Sequence, residues 1–249
     1  MTKAAYFALF VDDIRYERAA RAGQHEDISR FVMGMAAIND EPTRPPDSDD
    51  PALRIWQQLC LELAELDGWE TQWRFARCTQ VYLHSQMCET PYRQAKTLPD
   101  LDTYLTLRPL SCAIHSMFGD VFGIVAGRRV PLRVIADPGI RRLSRLAGQG
   151  CGMVNDIMSL HTEPDPAMSF TLPAVIAWNS GCSLREATGE AIRIFYRVLD
   201  QIVELQQELG QHEDGDIRFM AMALPQPMQG EITWKINHTH RYDDQSRYR

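Results

Sequence analysis

From Ser183 onward the apolar positions fall into a three-and-four repeat: Leu184, Ala187, Ala191, Ile194, Phe195, Val198, Ile202, Val203 and Leu205. That period puts one side of a 3.6-residue helix into a core. Ser183, followed three residues later by Glu186, supplies a capping box to begin it, and Gly210 supplies a stop, so a helix is expected over 183–210. Weaker versions of the pattern run over residues 51–64 and 71–87, and two more helices are expected over 100–119 and 140–163. Alternating, strand-like segments are nearly absent. The breaks are short and polar: residues 39–50 are rich in Pro and Asp, residues 89–99 carry Pro91 and Pro99, and residues 164–166 follow a helix end. None is long enough for a linker and no 20–50 residue repeat exists, so the expected architecture is all-α, a single-domain helical bundle over residues 1–249.

Composition narrows what such a bundle does. With 249 residues, 45% of them hydrophobic, the chain can build one substantial core. Its formal net charge of −7 argues against a nucleic-acid partner, which calls for a basic face or stripe. Any phosphate must therefore be met by a few placed cations or by metal. The cysteines Cys60, Cys78, Cys88, Cys112, Cys151 and Cys182 form no C-x-x-C pair and read as thiols of a reducing compartment, with no zinc site. The apolar run at residues 6–11 is interrupted by Asp12 and Asp13, too short for a signal peptide or a membrane span, and a cytoplasmic location is expected.

Two polar clusters carry the candidate chemistry. Asp12, Asp13 and Glu17 follow the apolar run, and on a helix Asp13 and Glu17 share a face with Asp12 beside them. Crowded carboxylates suit Mg²⁺, a hard cation usually held by one or two carboxylates plus substrate phosphates. The same residues also read as a solvated acidic face partnered by Arg15 and Arg18. The second cluster is Asn155, Ser159 and Glu163, spaced four and four, so that each is turned only about 40° from the last on a regular helix. An amide oxygen, a hydroxyl and a carboxylate from two turns can chelate one Mg²⁺ and leave room for phosphate oxygens. Polar residues facing a neighbouring helix are the other reading of this cluster.

The chain resembles the class I terpene synthases of bacterial type. Asn155, Ser159 and Glu163 match that family's Asn-Asp-x-x-Ser-x-x-x-Glu motif, Asp12, Asp13 and Glu17 match the longer-spaced variant of its aspartate-rich motif, and the gap between the two is similar. The likeness runs from Phe7 to Tyr242. It implies that Arg108, nearly fifty residues before the second motif, senses diphosphate, and that Arg241 and Tyr242, following Trp234, hydrogen-bond diphosphate on closure; Arg247 and Tyr248 are a decoy by spacing. It also implies a helix break after Arg108 that places Ser111 and Cys112 near the substrate. An apolar wall for the carbocation is expected from Tyr6, Phe7, Phe10, Phe118, Phe122 and Trp234, residues that serve equally as core packing. Several features depart from the family pattern, Cys112 standing where small residues are usual among them. Thr162 stands where Lys or Arg commonly precedes the Glu, Pro164 disfavours helical geometry at Glu163, and only eleven residues precede Asp12 where several helices are usual.

What the resemblance implies is a Mg²⁺-dependent lyase, with three ions and Mn²⁺ as a substitute, that ionises and cyclises an isoprenoid diphosphate. Farnesyl diphosphate to a sesquiterpene is the first expectation, with geranyl or geranylgeranyl diphosphate as alternatives, and a homodimer is common in the family. Chain elongation ranks below, because it needs a second aspartate-rich motif. A degenerate, non-catalytic helical paralogue is the reading from another class.

Overall fold

The computed structural model describes Phe7, Val11, residues 22–113 and residues 127–239. Every regular element among them is helical, and none of the described helices is long and apolar enough to cross a membrane. The chain divides into two compact units, one made of residues 1–95 and 116–129 and the other of residues 96–115 and 130–249.

The first unit packs three helices on one another: α1 (His25–Asp40), α2 (Pro51–Asp67) and α3 (Trp69–Ala95). Asp50 caps α2 by accepting from the Ala52 N–H at 2.9 Å, with Pro51 at the first helical position, where its missing N–H costs nothing. Gly68 ends α2 at φ +92°, a backbone that side-chain-bearing residues rarely adopt, and this lets the chain turn at once into α3. The core centres on Trp56, fully buried, whose ring lies 5.3 Å from Phe7 and 5.4 Å from Phe75. Its indole N–H donates to Asn39 Oδ1 at 2.9 Å, and the Asn39 amide in turn donates to the Ala76 carbonyl of α3. One polar side chain thus ties the three helices together. Beside it, burial pushes the Cys60 thiol up to about 12, so it packs as a small hydrophobe.

α3 corrects the break expected at residues 89–99: the helix runs through Pro91 to Ala95. A proline ring removes one i→i−4 bond but does not forbid a helix whose surroundings hold it. Here Thr90 Oγ1 donates to the Gln86 carbonyl, and Arg93 pairs with the buried Glu89 at 3.0 Å across the proline.

In the second unit α6 (Pro138–Ser159) packs on α4 (Leu101–Ser111), α7 (Leu172–Ser180), α8 (Leu184–Leu209), α9 (Gly215–Ala223) and α10 (Gln226–Asn237), and on the short α5 (Leu132–Ile135) that precedes it. The capping box of α8 forms as expected, Ser183 Oγ accepting from the Glu186 N–H while the Glu186 carboxylate accepts from the Ser183 N–H. Its buried stripe is Ala187, Ala191, Ile194, Val198, Ile202, Leu205 and Leu209, whereas Val203 lies outside it and is exposed. α6 starts on Asp137, which accepts from both Gly139 and Ile140 N–H groups. Two of its glycines admit neighbours: a Cβ on Gly150 would lie 2.6 Å from Met228 Sδ, and one on Gly152 would lie 3.0 Å from Arg108 Cγ. α4 ends at Ser111 and Cys112 is extended at ψ 99°, so the helix expected over 100–119 is interrupted after Arg108, where a break is expected.

Candidate active site

The candidate site in the second unit is built around the C-terminal end of α6. Asn155 and Asp156 are adjacent and hence point about 100° apart on the helix. Asp156 faces inward and is fully buried. Its Oδ1 accepts from Arg108 of α4 twice, from Nη2 at 2.6 Å and from Nε at 3.0 Å. Its Oδ2 accepts from the Leu172 N–H at 3.0 Å. That N–H opens α7, whose N-cap residue Thr171 makes no side-chain cap of its own. Asp156 therefore acts as the cap of α7 and draws on the positive end of its dipole.

Held this way, Arg108 reaches Asn155. Its Nη2 also lies 3.3 Å from Asn155 Oδ1. The Arg108 stem runs over Gly152, where any side chain would press on it. The Asn155 amide nitrogen points the other way, 3.4 Å from Glu231 Oε1 on α10. That carboxylate oxygen is itself 3.1 Å from Lys235 Nζ, in a pair whose side chains are 11% and 1% exposed. One turn before Asn155, burial first and then the nearby Cys112 thiol and Glu231 carboxylate push the Cys151 thiol well above its ordinary value, so it stays neutral beneath the site.

Asn155 and Ser159 keep the regular helical relation expected of them, and Ser159 Oγ donates to the Asn155 carbonyl at 2.6 Å, leaving its lone pairs to accept or ligate. Glu163 is a correction to the four-and-four geometry. Residues Leu160–Thr162 tighten into a 3-10 turn, which advances about 120° per residue instead of 100°, and Glu163 is extended at ψ 136° ahead of Pro164. It therefore does not fall in one row with Asn155 and Ser159. Thr162 donates to the Ser159 carbonyl.

The other expected residues divide. Ser111 and Cys112 are buried at the end of α4. Phe7 is buried in the first unit, stacked on Trp56, and Trp234 on α10 is 42% exposed. Asp12, Asp13, Glu17, Tyr6, Phe10, Phe118, Phe122, Arg241 and Tyr242 lie outside the described residues. Among the described residues no group of three His, Cys, Asp or Glu side chains is placed to hold a metal; the oxygen donors on α6 are an amide, a hydroxyl and a carboxylate.

The arrangement is an all-helical one in which a guanidinium beside Asn155 is fixed by a buried carboxylate. A family model described as "Terpene synthase family 2, C-terminal metal binding" matches residues 3–201, and the chain belongs to that family. It is 28% identical over 240 residues to 7-epi-alpha-eudesmol synthase ((2E,6E)-farnesyl diphosphate cyclizing) of Streptomyces viridochromogenes, covering 92% of this chain and 69% of that protein. To bonnadiene synthase of Allokutzneria albata it is 28% identical, covering 74% of this chain and 51% of the relative. The crystal structure of 2-methylisoborneol synthase from Streptomyces coelicolor A3(2) shares the fold with a TM-score of 0.82 at 18% identity, over 97% of this chain and 77% of that one. The chain thus spans roughly half to two thirds of the length of the two curated relatives.

Proposed function

We propose that this protein ionises farnesyl diphosphate in the presence of Mg²⁺ and guides the carbocation to a cyclic sesquiterpene. The observation that carries the reading is the buried Arg108–Asp156 bond, which brings a fixed guanidinium onto Asn155 within a chain of this family. Membership in a metal-binding synthase family and the farnesyl diphosphate chemistry in the name of the Streptomyces viridochromogenes relative support it.

The donor set fits magnesium: Asn155 Oδ1, Ser159 Oγ and the Glu163 carboxylate are hard oxygens, and Asp12, Asp13 and Glu17 would complete the set. Three bound Mg²⁺ ions, with Mn²⁺ as a substitute, would neutralise the diphosphate charge that grows as the allylic C–O bond breaks. Arg108 keeps its two Nη1 protons for a phosphate oxygen while Asp156 fixes the other edge of its guanidinium. A preoriented cation of this kind stabilises developing negative charge without having to reorganise. Arg241 and the Tyr242 hydroxyl are assigned the same task from the far end of the chain. No protein nucleophile is required, and the remaining work is to exclude water from the cation.

The test is direct. Purified protein is incubated with farnesyl diphosphate, with and without Mg²⁺, and the hexane extract is analysed by gas chromatography with mass detection. A metal-dependent cyclic product is expected, and Asn155→Ala should reduce its rate by about 100-fold or more, the scale of several kcal/mol of lost charge stabilisation. Product only from geranyl or geranylgeranyl diphosphate would change the substrate assignment. Absence of product from all three, with no Mg²⁺–diphosphate stabilisation, would favour the non-catalytic paralogue.

Gly152→Ala separates positioning from stability. Alanine is the better helix former by about 1 kcal/mol, yet its Cβ would sit 3.0 Å from Arg108 Cγ and 3.4 Å from Arg108 Nε. Turnover should fall about 10-fold or more, since small misplacements of a charge-stabilising group are costly, while the melting temperature holds or rises. Unchanged turnover would show that Arg108 has slack.

A further inference from the structure

A side-chain amide can serve a metal only through its oxygen, yet its two ends are nearly the same size and shape. An Asn at a metal position therefore needs something to tell those ends apart. At Asn155 the surroundings do so with opposite charges. The Arg108 guanidinium lies 3.3 Å from Oδ1 and the Glu231 carboxylate 3.4 Å from Nδ2. Both contacts are at the long limit of a hydrogen bond, so their effect is mainly one of direction. Flipping the amide would set its NH₂ against a guanidinium and its oxygen against a carboxylate.

Glu231 is itself placed for this. It is nearly buried on α10, one turn before Lys235, and the Lys235 ammonium, almost wholly buried, lies 3.1 Å from the same Oε1 that faces Asn155. The ion pair holds that carboxylate oxygen on the side of the amide N–H. A Glu–Lys pair this deep gives little net stability compared with apolar residues of the same volume, so stability alone does not account for its position beside Asn155.

We propose that Glu231, held by Lys235, is a positioning residue that fixes the Asn155 amide with its oxygen, and not its NH₂, toward the metal. The inference rests on the reading of Asn155 as a metal ligand. It also explains why an asparagine can stand there: the rest of the cluster supplies the orientation that a symmetric carboxylate would not need.

That symmetry supplies the test. In Glu231→Leu/Lys235→Met both charges are removed together, so neither is left buried and unpaired. Mg²⁺ is titrated by calorimetry into protein saturated with inorganic diphosphate. The double variant should bind Mg²⁺ about 10- to 100-fold more weakly, the usual cost of losing an outer partner of a ligand. Adding Asn155→Asp to the double variant should restore affinity, because either carboxylate oxygen can face the metal. With the Glu231–Lys235 pair intact, Asn155→Asp should bring no gain, since Glu231 repels the new charge. Should the double variant fail to fold by circular dichroism, Glu231→Gln carries the same test, as Gln has the same two-ended ambiguity and the same expected rescue.

Wild-type affinity in the double variant, or no rescue by Asn155→Asp, would overturn the positioning role while leaving the proposed activity standing. Wild-type protein that binds no Mg²⁺ with diphosphate would bring down the metal reading and this role with it.

Discussion

Asp156→Ala is expected to destabilise the protein by about 3–5 kcal/mol, the cost of removing one member of a buried ion pair, and to abolish product formation. The loss acts in several ways. Arg108, only 15% exposed, is left without its counter-charge; the Leu172 N–H loses its acceptor; and the guanidinium loses the anchor that holds it beside Asn155. Asp156→Asn should be milder in stability, by about 1–3 kcal/mol, because a neutral amide can still meet one or two of these donors. Its activity should nevertheless fall steeply, since Arg108 is then held by weaker, uncharged bonds. Urea midpoints by circular dichroism, read beside product yield, decide the matter. A wild-type midpoint for Asp156→Ala would mean that α4 and α7 are held in place by other contacts.

The second large effect belongs to the first unit. Trp56→Ala should cost about 3–5 kcal/mol for the ring itself, and about 1–3 kcal/mol more for the orphaned acceptor on Asn39. The indole fills the space between Phe7 and Phe75 and is fully buried. Trp56→Phe isolates the hydrogen bond, because it keeps most of the ring and removes the N–H that Asn39 accepts. Far-UV circular dichroism against urea follows both variants. Equal midpoints for Ala and Phe would show that the bond, and not the ring, carries the effect.

How far each feature could be read beforehand depends on how local its cause is. α8 is written into its own residues, with a capping box at one end and an unbroken apolar stripe behind it. α7 is apolar on all sides and short, so it has no helical period to detect, and its missing cap is supplied by a residue sixteen positions earlier. Pro91 reads as a break from its own chemistry, but a buried ion pair one turn long carries the helix past it. Asn155 and Ser159 were legible because their spacing is helical. Glu163 was half legible: the spacing marks it, while Pro164 alone signals that the helix will have ended.

Asp156 and the Glu231–Lys235 pair were missed for a different reason. Asp156 lies inside the motif as its second letter, but a motif read for ligands directs attention to the residues that face outward, and the inward carboxylate passes as filler. The cue available was the immediate neighbour of Asn155, turned about 100° away on the helix. Glu231 and Lys235 form an ordinary i,i+4 pair of the kind that usually sits on a surface. The packing of α10 on α6 helps to make them interior.

Asp156 uses both of its oxygens, one for Arg108 and one for the first turn of another helix. On the proposed function, catalytic apparatus and scaffold share a single residue, and selection cannot relax one without loosening the other. Drift along a lineage of such enzymes should leave this carboxylate and the glycine under Arg108 untouched, and diversify instead at positions that contact only the hydrocarbon. New products would then arise on an unchanged ionising centre, and loss of that centre would leave behind a protein that folds poorly rather than an idle but stable relic.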